Sequence, residues 1–292
     1  MATMAEVVRP HYTLWSYALI RLRRNRLAVA GGIVILIVVL GAVFAPFITA
    51  YAFDQQNLNA ILEGPSSAHL FGTDELGRDV FSRLLYGART SLAVGIFTQL
   101  IVLIIGLPIG AFSGYAGGRI DNIMMRFVDV MYAFPDILLI ILLRAVLGGS
   151  IYMIFLAIGL VAWVNIARLV RGQILSLKQR DFITAARAMG GTSRYITLRH
   201  LLPNSLGPVI VAVTFNVPRA IFAEAALSYI GIGVKPPTPS WGELLHQAQQ
   251  FRWAWWLILY PSLALFVVML LGIFVGEGVR DAFDPHPYIK ME

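Results

Sequence analysis

The sequence predicts an all-α, polytopic membrane protein with six transmembrane helices, and three observations carry that prediction. Hydrophobic residues make up 58% of the 292-residue chain and charged residues 13%, where a soluble domain carries about 45–50% and about 25%. Four long runs hold no charge at all: Leu27–Phe53 (27 residues), Thr90–Gly118 (29), Ala145–Ala167 (23) and Trp253–Gly276 (24). Each exceeds the roughly 20 residues that a helix needs to cross the hydrocarbon. The basic residues are also unevenly placed. With the N-terminus inside, 16 of the 23 Lys and Arg fall on inner segments, as the positive-inside rule requires of a chain with both ends in the cytoplasm.

The elements follow in order. Residues 1–26 form a cytoplasmic N-terminal segment, in which Leu14, Trp15, Ala18, Leu19 and Leu22 have helical apolar spacing and precede Arg21, Arg23, Arg24 and Arg26. That pattern predicts an amphipathic helix on the inner leaflet, with the lipid bilayer as its partner. Residues 27–53 form the first span. Ala50 and Ala52 mimic a cleavage site, but the run is far longer than the roughly 7–15 residues of a signal core, so an uncleaved span is expected. Residues 54–89 form an extracytoplasmic loop with a short helix. Thr73 can cap it, Asp74 and Glu75 suit its first turn, and Asp79 and Arg83 are spaced for an i, i+4 pair. Such a helix lies over the membrane domain as a lid or a docking surface.

Residues 90–285 form a five-helix core, and 286–292 a cytoplasmic tail. Two of the core spans carry charges. The third span, about 122–147, holds Arg126, Asp129, Asp136 and Arg144, and the fifth, about 206–231, holds Arg219 and Glu224. Charges within a membrane turn toward the bundle interior or a water-filled path. Asp136 and Arg219 fall near mid-depth, so the expectation is that they pair or line a solute path, with Glu224 available to solute, partner or water. Arg126 and Asp129 are spaced to pair, and Arg144 can snorkel outward. Pro135 and Pro218 are positioned to kink their spans. In the second outer loop, Ser240 and Glu243 make a capping box for a helix over 241–250, and Trp241 suits the outer interface.

The inner loop 168–204 holds seven basic residues and one acid, Asp181. Phe182, Ala185, Ala186 and Met189 form an apolar stripe, Gly190-Gly191 ends that helix, Thr192 caps a second, and Pro203 stops it. The product is a helix, a glycine elbow and a helix, suited to a partner's groove.

At these residues the chain becomes recognisable. Thr184-Ala185-Ala186-Arg187-Ala188-Met189-Gly190, followed by His200-Leu201-Leu202-Pro203, resembles the EAA motif of bacterial ABC importer permeases (E-A-A, three residues, G, nine residues, I-x-L-P). Thr184 stands where the motif has Glu, and His200 where it has Ile. Gly72–Arg83, Leu227–Gly233 with Pro236–Gly242, and Gly278–Pro285 are similar to segments of the C-type permeases of dipeptide, oligopeptide and nickel importers. The resemblance implies a six-span type I importer permease of the bacterial inner membrane. Its implied partners are a homologous B-type permease, two cytoplasmic ATPases and an extracytoplasmic solute-binding protein. It places the ATPase contact at Thr184, Ala185, Ala186, Arg187, Gly190, Gly191 and Pro203. The outer loops, with Asp74, Glu75, Arg78, Asp79 and Trp241, would meet the binding protein.

The same sequence bounds the chemistry. There is no Cys, and none of the three Lys (Lys178, Lys235, Lys290) sits in a phosphate-binding G-x-x-x-x-G-K-[ST] loop. No cofactor is therefore expected on this chain, and ATP and Mg belong to partner ATPases. No G-x-S-x-G elbow or metal-ligand spacing points to an enzyme, and no aromatic-interleaved basic patch points to nucleic acid. The alternative is a secondary, proton-coupled transporter using Asp136, Arg219 and Glu224 as a relay.

Overall fold

The computed structural model describes residues 14–148 and 150–284, all helix, turn and loop apart from a single bridge between Thr73 and Asp79. Expectations for 1–13 and for the 286–292 tail fall outside the described residues. Five helices are long and apolar enough to cross a membrane, and a sixth span is formed if one bent pair is taken together.

Helix α1 (Leu14–Arg24) ends at Asn25, whose side chain caps α2 (Arg26–Val43) by accepting from Ala28 N at 3.1 Å. The side chains of Leu14 and Trp15 lie outside the described set. Leu19 and Ile20 are exposed, and α1 is tied to the rest of the protein: Arg21 donates to the Asp284 carbonyl at 2.6 Å. The first span is shorter than its uncharged run. Pro46 opens the four-residue α3 (Ala45–Ile48), and 49–79 is loop.

The expected outer helix and second span are one element. Helix α4 (Val80–Ala116) has 37 residues, about 55 Å at a rise of ~1.5 Å. It is capped by Asp79, which accepts from Ser82 N at 2.8 Å, and not by Thr73. Its partner is α7 (Ile151–Leu177). Lipid tails are as apolar as leucine, so spans associate through close fit more than through the hydrophobic effect. The α4 stripe Gly106, Gly110, Gly114 supplies that fit: a Cβ at Gly106 would lie 2.8 Å from the Trp163 carbonyl.

The segment expected to be the third span is two helices at a sharp bend. Helices α5 (Gly118–Ala133) and α6 (Asp136–Leu147) meet at 90° across Phe134-Pro135. Asp129 does not pair with Arg126 but accepts from Arg168, whose guanidinium lies 4.2 Å from the Tyr132 ring centre. Arg144 does not snorkel. It is buried at the end of α6 and donates to the carbonyls of Gly148, Ser150, Ile232 and Gly233. Four carbonyls at the end of α6 and in the facing loop thus satisfy the guanidinium within the subunit.

Helices α8 (Asp181–Ala188) and α9 (Ser193–Ile196) lead through a π-turn, Thr197–Leu201, into α10 (Leu202–Tyr229). Pro203 therefore starts a helix where the sequence suggested a stop. A proline lacks the N–H of a regular turn, and the wider π-turn before it keeps the chain helical through Tyr229. Pro218 is likewise absorbed, packing against Gly272 of α12 (Trp255–Phe283). Helix α11 (Trp241–Ala248) begins as expected, with Ser240 Oγ accepting from Glu243 N at 3.1 Å.

Candidate functional site

The break in the third span opens a cavity of about 220 Å³. Proline disfavours helix in the residue before it, so the chain turns at Phe134 and α6 restarts with Asp136 as its first residue. That position favours the carboxylate, because a helix N-terminus carries a partial positive charge. Across the cavity, α10 contributes Asn216 and Arg219, α7 contributes Asn165, and α4 contributes Gln99, whose Nε2 donates to the Asn216 carbonyl at 3.4 Å. Ile137, Ile140, Ile158, Val161 and Phe222 supply apolar wall. Asp136, Asn165 and Arg219 are exposed in the lone subunit. Among the described residues neither Asp136 nor Arg219 has an ion-pair or hydrogen-bond partner, and they do not pair with each other. An unpaired charge at mid-membrane costs at least about 2.5–3.5 kcal/mol on insertion scales, so this face is built for water, a partner or a solute.

Glu224 does not border that cavity. It is 0% exposed. Ser228 Oγ donates to its carboxyl at 2.6 Å and Ser91 Oγ at 3.4 Å. The same serines bind the outer loop, accepting from Val234 N at 3.1 Å and Trp241 N at 3.2 Å. The expectation that it is available to solute, partner or water does not hold, because packing around Ser91 and Ser228 seals it. Asn165, Asn216 and Gln99 were absent from the sequence expectation. Their signal was an amide inside otherwise apolar runs.

The inner elbow has the expected shape. Gly190 adopts φ +82°, the left-handed conformation that ends helices. Gly191 N donates to the Ala186 carbonyl at 3.0 Å, and Thr192 caps α9 by accepting from Tyr195 N at 3.3 Å. The predicted stripe is rotated. Ile183 and Ala186 face inward with Ile196 and Leu201, while Phe182, Ala185 and Met189 face out. Thr184, Arg187, Gly190 and Pro203 are exposed and Gly191 is half-buried. Met189 is 83% exposed at the elbow tip, an apolar side chain offered to something beyond this chain.

The outer residues expected to meet a binding protein instead tie the subunit together. Asp74, Arg78, Asp79 and Trp241 are all buried. Asp74 accepts from Arg78 Nε at 2.8 Å and from Arg83, and Arg83 also donates to Glu243 at 2.9 Å and to Gln247 at 2.8 Å. Asp79 pairs with His69 at 2.9 Å and not with Arg83. Trp241 Nε1 donates to the Leu84 carbonyl at 3.1 Å. Only Glu75 keeps partial exposure, beside Arg78. With three acids against two arginines, burial pushes the Glu243 carboxyl above the usual carboxylate range, against the pull of Arg83 and Arg78. Local spacing suggests only Asp79 for Arg83, because its partners Glu243 and Gln247 lie about 160 positions away along the chain.

Comparison with known proteins gives a consistent answer. The profile of the family described as "Binding-protein-dependent transport system inner membrane component" matches residues 106–287. That of the "N-terminal TM domain of oligopeptide transport permease C" matches residues 13–65. The chain is 39% identical over 281 residues to an oligopeptide transport system permease protein of Bacillus subtilis (strain 168), covering 96% of this chain and 92% of that one. It is 42% identical to a dipeptide transport system permease protein of Alkalihalophilus pseudofirmus, covering 93% and 90%. A glutathione transport system permease protein of Pectobacterium atrosepticum is 41% identical, covering 94% and 91%. In fold, the chain is similar to an inward-facing methionine ABC transporter, with a TM-score of 0.59 and 22% identity over 70% of this chain and 97% of that one. The proton-carrier alternative is not supported: the family is a different one, and Glu224 is sealed from the cavity that holds Asp136 and Arg219. With that family's model matching well over half of the chain and relatives near 40% identity covering nearly all of it, this chain belongs to the family of binding-protein-dependent transport system inner membrane components and is an ABC importer permease subunit.

Proposed function

We propose that this subunit forms half of the solute path of an ATP-driven peptide importer. In this reading it is a six-span type I permease of the inner membrane with both termini in the cytoplasm. Peptide is favoured as solute because relatives near 40% identity over nearly the whole chain are named for oligopeptide, dipeptide and glutathione transport. The homologous permease covers the open face around Asp136, Asn165 and Arg219. A binding protein delivers solute outside, and two ATPase subunits hold ATP and Mg inside.

The observation that carries coupling is the elbow. It presents Phe182, Ala185, Arg187 and Met189 outward while Ile183, Ala186 and Ile196 anchor it to the bundle. An ATPase that seats this tip moves α8 and α9, and the π-turn passes that movement straight into α10, which carries Arg219. ATP acts only by favouring one state of the bundle over the other. The mechanical test is Gly190→Val. The position has open space around it, so the change strains the backbone and little else, at about 1–2 kcal/mol. Membrane insertion should stay normal while copurification with the ATPases and ATP-driven uptake fall sharply. Unimpaired uptake would remove the elbow from the coupling route.

A further inference from the structure

Two opposite charges line one cavity between the candidate spans, each without a partner among the described residues. Both are exposed on this subunit, and an unpaired charge on a membrane-embedded face turns toward a water-filled path or a partner and not toward lipid. Held apart, they leave a cavity that is neutral in sum and positive on one wall. A lone cation or anion gains from one group and is repelled by the other. A molecule carrying both charges satisfies both. Asn165 and Asn216 add donors and acceptors between them, and the isoleucine and phenylalanine walls accept an apolar side chain. The cavity of about 220 Å³ is on the scale of one amino-acid residue and is partly open, so the rest of a short peptide would extend through its open side.

We propose that Asp136 and Arg219 hold the two charged ends of a zwitterionic solute, Asp136 its ammonium group and Arg219 its carboxylate. The inference rests on the peptide-importer reading above and narrows it: the permease itself senses both free ends of a short peptide, independently of the binding protein.

The test uses the purified permease pair with its ATPases in nanodiscs, without binding protein, and follows the melting temperature against alanyl-leucine, its N-acetyl form and its C-terminal amide. Free alanyl-leucine should stabilise at concentrations about tenfold lower than either blocked form, the loss of one charge-assisted hydrogen bond. Asp136→Asn should abolish the discrimination against the N-acetyl form alone, and Arg219→Gln that against the amide alone. Equal stabilisation by all three compounds in the wild-type complex, or none by any, overturns the proposal without reference to either variant. Uptake of alanyl-leucine by the complete importer is measured alongside. If it is absent, the peptide reading itself fails; if it is present and the blocked forms bind alike, only the two-ended recognition fails.

Discussion

Asp79 shows what a single residue's neighbours in sequence can and cannot say. Its spacing from Arg83 invites an i, i+4 pair, yet Asp79 caps α4 and binds His69, while Arg83 reaches Asp74, Glu243 and Gln247. Local spacing identifies charges that suit a helix; it does not identify partners that arrive from α11. Gly190 is the opposite case, because a helix-ending left-handed turn is a local property and was legible at once. The buried outer network also titrates. The folded state binds the Glu243 proton more tightly than the unfolded chain does, so this group's contribution to stability is full below the ordinary carboxylate value. It is lost as the pH rises through the raised one. Thermal unfolding of the purified complex should show that decline, and Glu243→Gln should flatten it. Identical pH slopes in the two proteins would contradict the assignment.

Element existence was readable because a 20-residue uncharged run has few alternatives in a bilayer. Element direction was not. Composition over 118–147 is that of one span, and nothing in it reports a 90° turn except Pro135. Pro203 misled in the other direction, since a π-turn can absorb a proline and no residue pattern announces one. Sequence alone suggests an interfacial Arg144, because its partners, Ile232 and Gly233, belong to a loop almost 90 positions away. It joins the end of α6 to that loop. Truncating it would leave the buried Gly233 carbonyl without that donor, at about 1–3 kcal/mol, and would also break three part-buried bonds. Arg144→Met should therefore lower the melting temperature and expression of the complex markedly. Arg144→Lys should recover little, since an ammonium on one stem cannot span a forked set of four acceptors. Full recovery by lysine would show that the charge alone matters there.

At the scale of the molecule, the chain reads as half of something. Asp136 and Arg219 open to one side, the elbow leaves Met189 exposed, and apolar side chains such as Ile123, Phe127, Val130 and Leu138 are exposed along the bent pair of helices. Some of that surface meets lipid, but Asp136 and Arg219 on it cannot do so without large cost. The isolated subunit should accordingly be short-lived in detergent and stabilised by coexpression with its homologous permease; equal lifetimes alone and coexpressed would count against a shared polar face.

The central claim is that the bundle is moved by ATP hydrolysed elsewhere. The most direct measurement is peptide uptake into proteoliposomes holding both permeases and both ATPases, with loaded binding protein outside, ATP inside and a protonophore present. Uptake is predicted to depend on all of these partners and on ATP, and to continue undiminished when the proton gradient is collapsed. Uptake by this chain alone, or uptake that stops with the gradient while ATP remains, would contradict the account.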